Sequence, residues 1–262
     1  MRLAARIAGV GLFGPGLAGW NASREILAGR VPYEPRPTVI PSPEALPATE
    51  RRRAGKCVRL ALAAGLEAAA AAGRAPRDLA AVFASSGGDG ENVHAICEML
   101  AGDDRDISPT RFHNSVHNAP AGYWGIATGA VQPADSVAAF DGSFAAGLLE
   151  VLARLAERPA QPVMLACYDA PYPEPLGAKR PIADAFGMAL LLEGEGSGGP
   201  AIAISTSHEA PEPMADAALE RLRRGIPSAR SLPLLARLAS GSQGRVLVEY
   251  LEGLSLAIEV GA

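Results

Sequence analysis

The stretch "DSVAAFDGSFAAGLLEVL", residues 135–152, decides the fold. It opens as a short apolar strand, turns sharply at Asp141-Gly142-Ser143 and continues as a helix. Several enzyme folds display a nucleophile where a strand turns abruptly into a helix. This corner carries the carboxylate of Asp141. As a helix cap, Asp141 would accept hydrogen bonds from the free amides of the first turn, where the helix dipole also favours its charge. As a nucleophile it would need a strong electrophile, and no carboxylate partner or metal-ligand spacing stands ready to help. Ser143 lies in "DGSFA", which is not the G-x-S-x-G elbow of a serine hydrolase. Chemistry alone favours the cap.

On either side of this corner, strands alternate with helices. "LAARIAGV", Leu3 to Val10, is the first strand and "GWNASREILAG" follows as a short helix. After a Pro-rich excursion over residues 31–47, "TERRRAGKCVRLALAAGLEAAAAAG" is expected to form one long helix, capped by Thr49 and ended by Gly73. "DLAAVFASS", "PVMLACYDA", "DAFGMALLLEG" and "GPAIAISTSH" are strands. "MADAALERLRRG" is a helix, and "GRVLVEYLEGLSLAIEV" is two strands joined at Glu252-Gly253. The pattern predicts a layered α/β fold in a single domain spanning residues 1–262.

Composition narrows the function. The 262 residues are 48% hydrophobic with a net charge of −4, so there is core enough for a large domain and no basic field for nucleic acid or an anionic membrane. Cys57, Cys97 and Cys167 form no C-x-x-C pair and no metal spacing, which points to reduced thiols in a cytoplasm. The opening apolar run is broken by Gly9, Gly11, Gly14 and Pro15, and is expected to be a strand, not a signal helix.

Two glycine motifs are decoys. Gly9, Gly11 and Gly14 match G-x-G-x-x-G, but Pro15-Gly16 follow where a dinucleotide site needs a helix to begin, so a tight turn after strand one is expected. "SSGGDGEN" lacks the Gly-Lys-Ser/Thr ending of a phosphate loop. No cofactor is expected. His113 and His117 in "RFHNSVHN" have the i, i+4 spacing of a metal pair, without an intervening Glu or an evident third ligand. A hydrogen-bonded helix entry is the stronger reading, and no metal is expected.

The segments "ISPTRFHNSVHNAPAGYWGIATGA" and "DSVAAFDGSFAAGLLEVL", with "RIAGVGLFGPG", "VFASSGGDGEN" and "PVMLACYDAPYPEPL" in order around them, resemble the N-terminal half of the thiolase-fold β-ketoacyl-acyl-carrier-protein synthases. More narrowly, they resemble the chain-length-factor-like proteins of aryl polyene biosynthesis. The resemblance runs from Arg6 to Glu193. It implies a thiolase-like mixed sheet with helices on both faces, a ketosynthase-like half at residues 1–195 and a reduced portion at 196–262.

The departures carry as much meaning. In an active synthase the corner holds the cysteine that accepts the acyl chain, and alignment puts Asp141 there. A carboxylate cannot form that thioester. The two catalytic histidines of the synthases' second half also have no counterpart, since His208 is the only histidine beyond residue 200. By resemblance the chain is a non-catalytic partner of a full-length β-ketoacyl synthase, acting with it on an acyl carrier protein. Ser136 to Phe140 would be the strand that pairs across the dimer. Tyr123, Trp124, Ser136, Phe140 and Phe144 are its tunnel or interface candidates, weighed against ordinary aromatic packing. Two other readings stay open. One is an acyl-thioester hydrolase using Asp141 with His113 or His117, which requires an imidazole within hydrogen-bond reach of the carboxylate. The other is a homodimeric module that binds an acyl chain or a carrier protein.

Overall fold

The structure, a computed structural model, describes residues 3–103 and 106–262. Among these residues nine strands form one mixed sheet: β1 (Leu3–Gly14), β2 (Leu17–Ala18), β3 (Ala80–Ala84), β4 (Ala134–Val137), β5 (Val163–Asp169), β6 (Phe186–Glu193), β7 (Ala201–Ser207), β8 (Gly244–Leu251) and β9 (Leu254–Gly261). The spatial order is β4-β3-β5-β6-β1-β7-β9-β8, with β2 folded back on β1. β3 runs parallel to β4 and β5, and the other neighbours are antiparallel. The helices are α1 (Trp20–Leu27), α2 (Ala48–Arg53), α3 (Lys56–Ala71), α4 (Gly90–Ala101), α5 (Pro109–Asn114), α6 (Ala119–Thr128), α7 (Ser143–Glu157), α8 (Leu176–Lys179), α9 (Ala217–Gly225) and α10 (Leu232–Ser240). None of them is long and apolar enough to cross a membrane.

The central strands are buried on both faces, and their period of two divides the core. In β5, Val163, Leu165 and Cys167 face α7, while Met164, Ala166 and Tyr168 face α3. β3 splits the same way, with Val82 on the α7 side and Phe83 on the α3 side. Helices therefore cover both faces, with α3 and α6 on one and α1, α7, α9 and α10 on the other.

Several local expectations change. The long helix is two helices, broken at Ala54-Gly55, where both residues are extended; Pro47 and not Thr49 precedes the first of them. The glycines of the G-x-G-x-x-G match do not close a turn, because β1 continues through all three. A Cβ on Gly9 or Gly11 would lie 2.1 or 2.0 Å from a carbonyl oxygen of α3, so these glycines let the helix sit directly on the strand. The turn comes later, at Pro15-Gly16, and α1 follows it with no side-chain cap of its own. Glu67 of α3 supplies one from a distance, its carboxylate accepting from Leu12 N at 2.9 Å and Trp20 N at 2.6 Å.

Beyond β6 the chain extends the same sheet. β7 pairs with the first residues of β1, and the β8–β9 hairpin turns at Glu252-Gly253 as expected. α10 was not expected. Its Pro233 looks like a helix breaker in sequence, yet it lies in the first helical turn, where a missing N–H costs nothing.

Candidate functional site

The corner forms where β4 leaves the sheet edge. Ser136 lies on β4, half-buried, and the strand ends at Val137, so Phe140 is not part of it. Instead Phe140–Gly142 form one turn of 3-10 helix that runs into α7. The side chain that closes the corner is Ser143: its Oγ accepts from Ala139 N at 3.0 Å and donates to Phe140 O at 2.7 Å. Gly142 permits the next contact, since a Cβ there would lie 2.0 Å from the carbonyl oxygen of Tyr250. The end of β8 is thereby pressed against the corner.

Asp141 does not cap α7. No side-chain cap bond forms at that helix start. Its carboxylate points across to two arginines from distant parts of the chain. Oδ1 accepts from Arg180 Nη2 at 2.7 Å, and Oδ2 accepts from Arg230 Nη2 at 2.9 Å. Arg180 also lays its guanidinium over the Phe140 ring, 3.5 Å from the centroid. Arg230 reaches Glu249 Oε1 at 3.9 Å, and the same Glu249 oxygen accepts from Arg223 Nη1. Arg223, itself buried, is gripped by Glu220 at 2.7 and 2.8 Å. Three carboxylates and three guanidiniums thus run in a chain from the corner to α9, with balanced charge.

The network has a pH signature. The Arg223 hydrogen bonds hold Glu220 down to about 2 from its ordinary 4.5, while burial opposes them. A carboxyl depressed in the folded state contributes stability that is complete above its unfolded pKa and is lost as pH falls toward the folded one. In urea unfolding, wild type should exceed Glu220→Gln at pH 6, and the gap should close between about pH 5 and 2. A gap that stays constant across that window would sink the assignment.

Asp169 bolts the neighbouring strand ends. It accepts from Ser86 N and Oγ at 2.8 and 2.7 Å, from Ser85 Oγ at 3.2 Å and from Ser228 N at 2.8 Å, tying β3 and β5 to the segment that carries Arg230. Burial pushes its carboxyl up, and the Ser86 and Ser228 bonds work against that. Burial likewise raises the thiols of Cys57 and Cys167, so neither presents a thiolate.

The other predicted residues separate into core and surface. Tyr123, Trp124 and Phe144 are each at most 1% exposed. Instead of offering themselves at an interface, they fill the interior. Trp124 meets Phe83 edge-on at 6.3 Å and fits against Gly65 of α3, Tyr123 donates to Asn114 Oδ1 at 3.0 Å, and Phe144 packs in the core on the α7 side. Phe140 is 60% exposed. His113 and His117 do not form a pair on one helix, because α5 ends between them at Asn114. His113 lies edge-on to Tyr123, and His117 Nε2 is 3.3 Å from Ser85 O. The imidazole that a hydrolase would need is not bonded to Asp141, whose two oxygens both carry guanidiniums.

The sheet edge beside the corner is open. β4 is a terminal strand in the sheet order, with Ala134 and Asp135 exposed. Val131 before it and Phe140 after it are 89% and 60% exposed, and Phe112, Val116 and Ile126 on and around α5 and α6 are also exposed.

No curated protein matches the chain. Solved structures do match its fold. A chain of the complex of a ketosynthase (ApeO) with its chain length factor (ApeC) from Xenorhabdus doucetiae aligns with a TM-score of 0.72 at 24% identity, over 98% of this chain and 99% of that one. A chain of the ishigamide ketosynthase/chain length factor aligns with a TM-score of 0.72 at 15% identity, over 98% and 99%. A chain of AntDE:AntF, a type II PKS acyl-carrier protein in complex with its ketosynthase, aligns with a TM-score of 0.76 at 11% identity, over 100% of both. At these identities the likeness is one of fold. Residues 24–246 match the model of the beta-ketoacyl synthase N-terminal domain, and the chain belongs to that family.

Proposed function

We propose that this chain is a non-catalytic, chain-length-factor-like partner of a full-length β-ketoacyl synthase, acting with it on acyl chains carried by an acyl carrier protein in the cytoplasm. The observation that carries this reading is the state of the corner. Where the family's nucleophile would stand, each oxygen of Asp141 is paired with a guanidinium, of Arg180 and of Arg230, and the end of β8 leans on the same turn. A carboxylate so held is neither a free base nor a nucleophile. The open β4 edge with its exposed apolar flanks supplies the surface on which a second subunit would dock. Residues 1–195 would be the ketosynthase-like half, and 196–262 a reduced portion that prolongs its sheet.

Native mass spectrometry of the untagged protein from its own cells tests this. A one-to-one complex with a synthase that retains its cysteine is expected, and acyl condensation should require both subunits. A monomer or homodimer with nothing else bound would overturn the proposal, as would a synthase whose rate and product length are the same without this chain.

A further inference from the structure

Phe140 is the only non-glycine residue in the left-handed region among the described residues, at φ +52°, and its ring is 60% exposed. Both features cost energy in the isolated chain. An L-residue crowds its own backbone in that region, and a bare phenyl ring gains from leaving water. A glycine would meet the same backbone demand without penalty.

The surroundings nonetheless hold the ring firmly. Ser143 Oγ ties the peptides on either side of Ala139 and Phe140, and Arg180 stacks on the ring while anchored to Asp141. Arg230 and Glu249 complete the mount, so its charges are matched before any partner arrives. A rigid aromatic on a self-neutralised mount has little side-chain entropy to lose on association.

We propose that Phe140 is a preorganised anchor that inserts into an apolar pocket of the synthase subunit, with Arg180 and Asp141 as positioning residues that fix its ring. This inference rests on the partner-subunit reading above. Its place supports it: Phe140 lies just beyond the open β4 edge, with Val131 just before it, so a partner strand aligned on that edge would be flanked by both side chains. Backbone pairing would set the register and the aromatic anchor would act as a hot spot on it.

The test is affinity for the synthase recovered with the wild-type chain, read beside the melting temperature of each isolated variant. Phe140→Gly should bind about 30-fold more weakly, while its melting temperature stays level or rises as the backbone strain is relieved. Arg180→Gln should weaken binding by about 3- to 10-fold with Phe140 still present, and Val131→Ala by less than about threefold. If the wild type binds a synthase and Phe140→Gly binds within threefold of it, the anchor is refuted and the partner reading stands. A fall in melting temperature for Phe140→Gly would make Phe140 a structural residue and also refute the anchor. If the wild type binds no synthase, both fall together.

Discussion

Asp141→Ala should destabilise the chain by about 2–4 kcal/mol, because it takes the bonded carboxylate from two guanidiniums at once and leaves Arg230 only the longer contact with Glu249. Both arginine side chains are largely withdrawn from solvent, at 22% and 19% exposure, so water restores only part of what the carboxylate gave them. Arg180 would also lose the contact that holds it over Phe140. Asp141→Asn separates this account from helix capping. Asn caps nearly as well as Asp, so a capping role predicts almost no change. Here Asn keeps one acceptor and loses the charge, so about 1–2 kcal/mol should disappear. Urea unfolding at neutral pH measures both variants. An Ala variant within about 0.5 kcal/mol of wild type would mean that the arginines find other partners and that the network is incidental. A double-mutant cycle with Arg180→Ala should return a coupling above about 0.5 kcal/mol, as contacting residues do.

The corner itself was legible in the sequence, because a strand, a turn and a helix are local patterns. Its chemistry was only half legible. The resemblance to the family motif leads one to expect Asp141 where an active synthase has its cysteine, but it says nothing of what holds Asp141. Its partners lie 39 and 89 residues away, in "GAKRP" and "PSARS", where a lone arginine carries no signal. Arg180 and Arg230 meet the corner only because the sheet brings their segments there. The burial of Tyr123 and Trp124 was hidden for a related reason. Tyr123 and Trp124 sit beside Gly122 and Gly125 on a helix with a weak apolar stripe, so the sequence did not say which way they face. The core did say it elsewhere: β5 and β6 carry no charge before their last residues, Asp169 and Glu193, and both are buried throughout. The glycines of β1 read in the sequence as a turn, since a turn and a close helix approach ask for the same residue. Only the position of α3 distinguishes them.

That distinction predicts opposite signs for two substitutions of the same kind. Gly11→Ala puts a methyl 2.0 Å from the carbonyl oxygen of Ala64 and 2.8 Å from its carbonyl carbon. These are backbone atoms in the middle of α3, so no side chain can swing aside, and the helix must lift from β1. α3 also covers β5 and β6, and lifting it loosens the whole α3-side core. The cost should be about 3 kcal/mol, and Gly11→Val should cost more and leave little folded protein. Gly122→Ala is the counterpart. Gly122 lies inside α6 with nothing within 4 Å of where a Cβ would be, so alanine adds helix propensity without collision. It should stabilise the chain by about 0.5–1 kcal/mol. If Gly11 were a turn glycine outside the reach of α3, its alanine variant would cost little. Thermal unfolding of the two variants side by side decides between these accounts, because only a helix resting directly on the strand makes one glycine indispensable and the other replaceable.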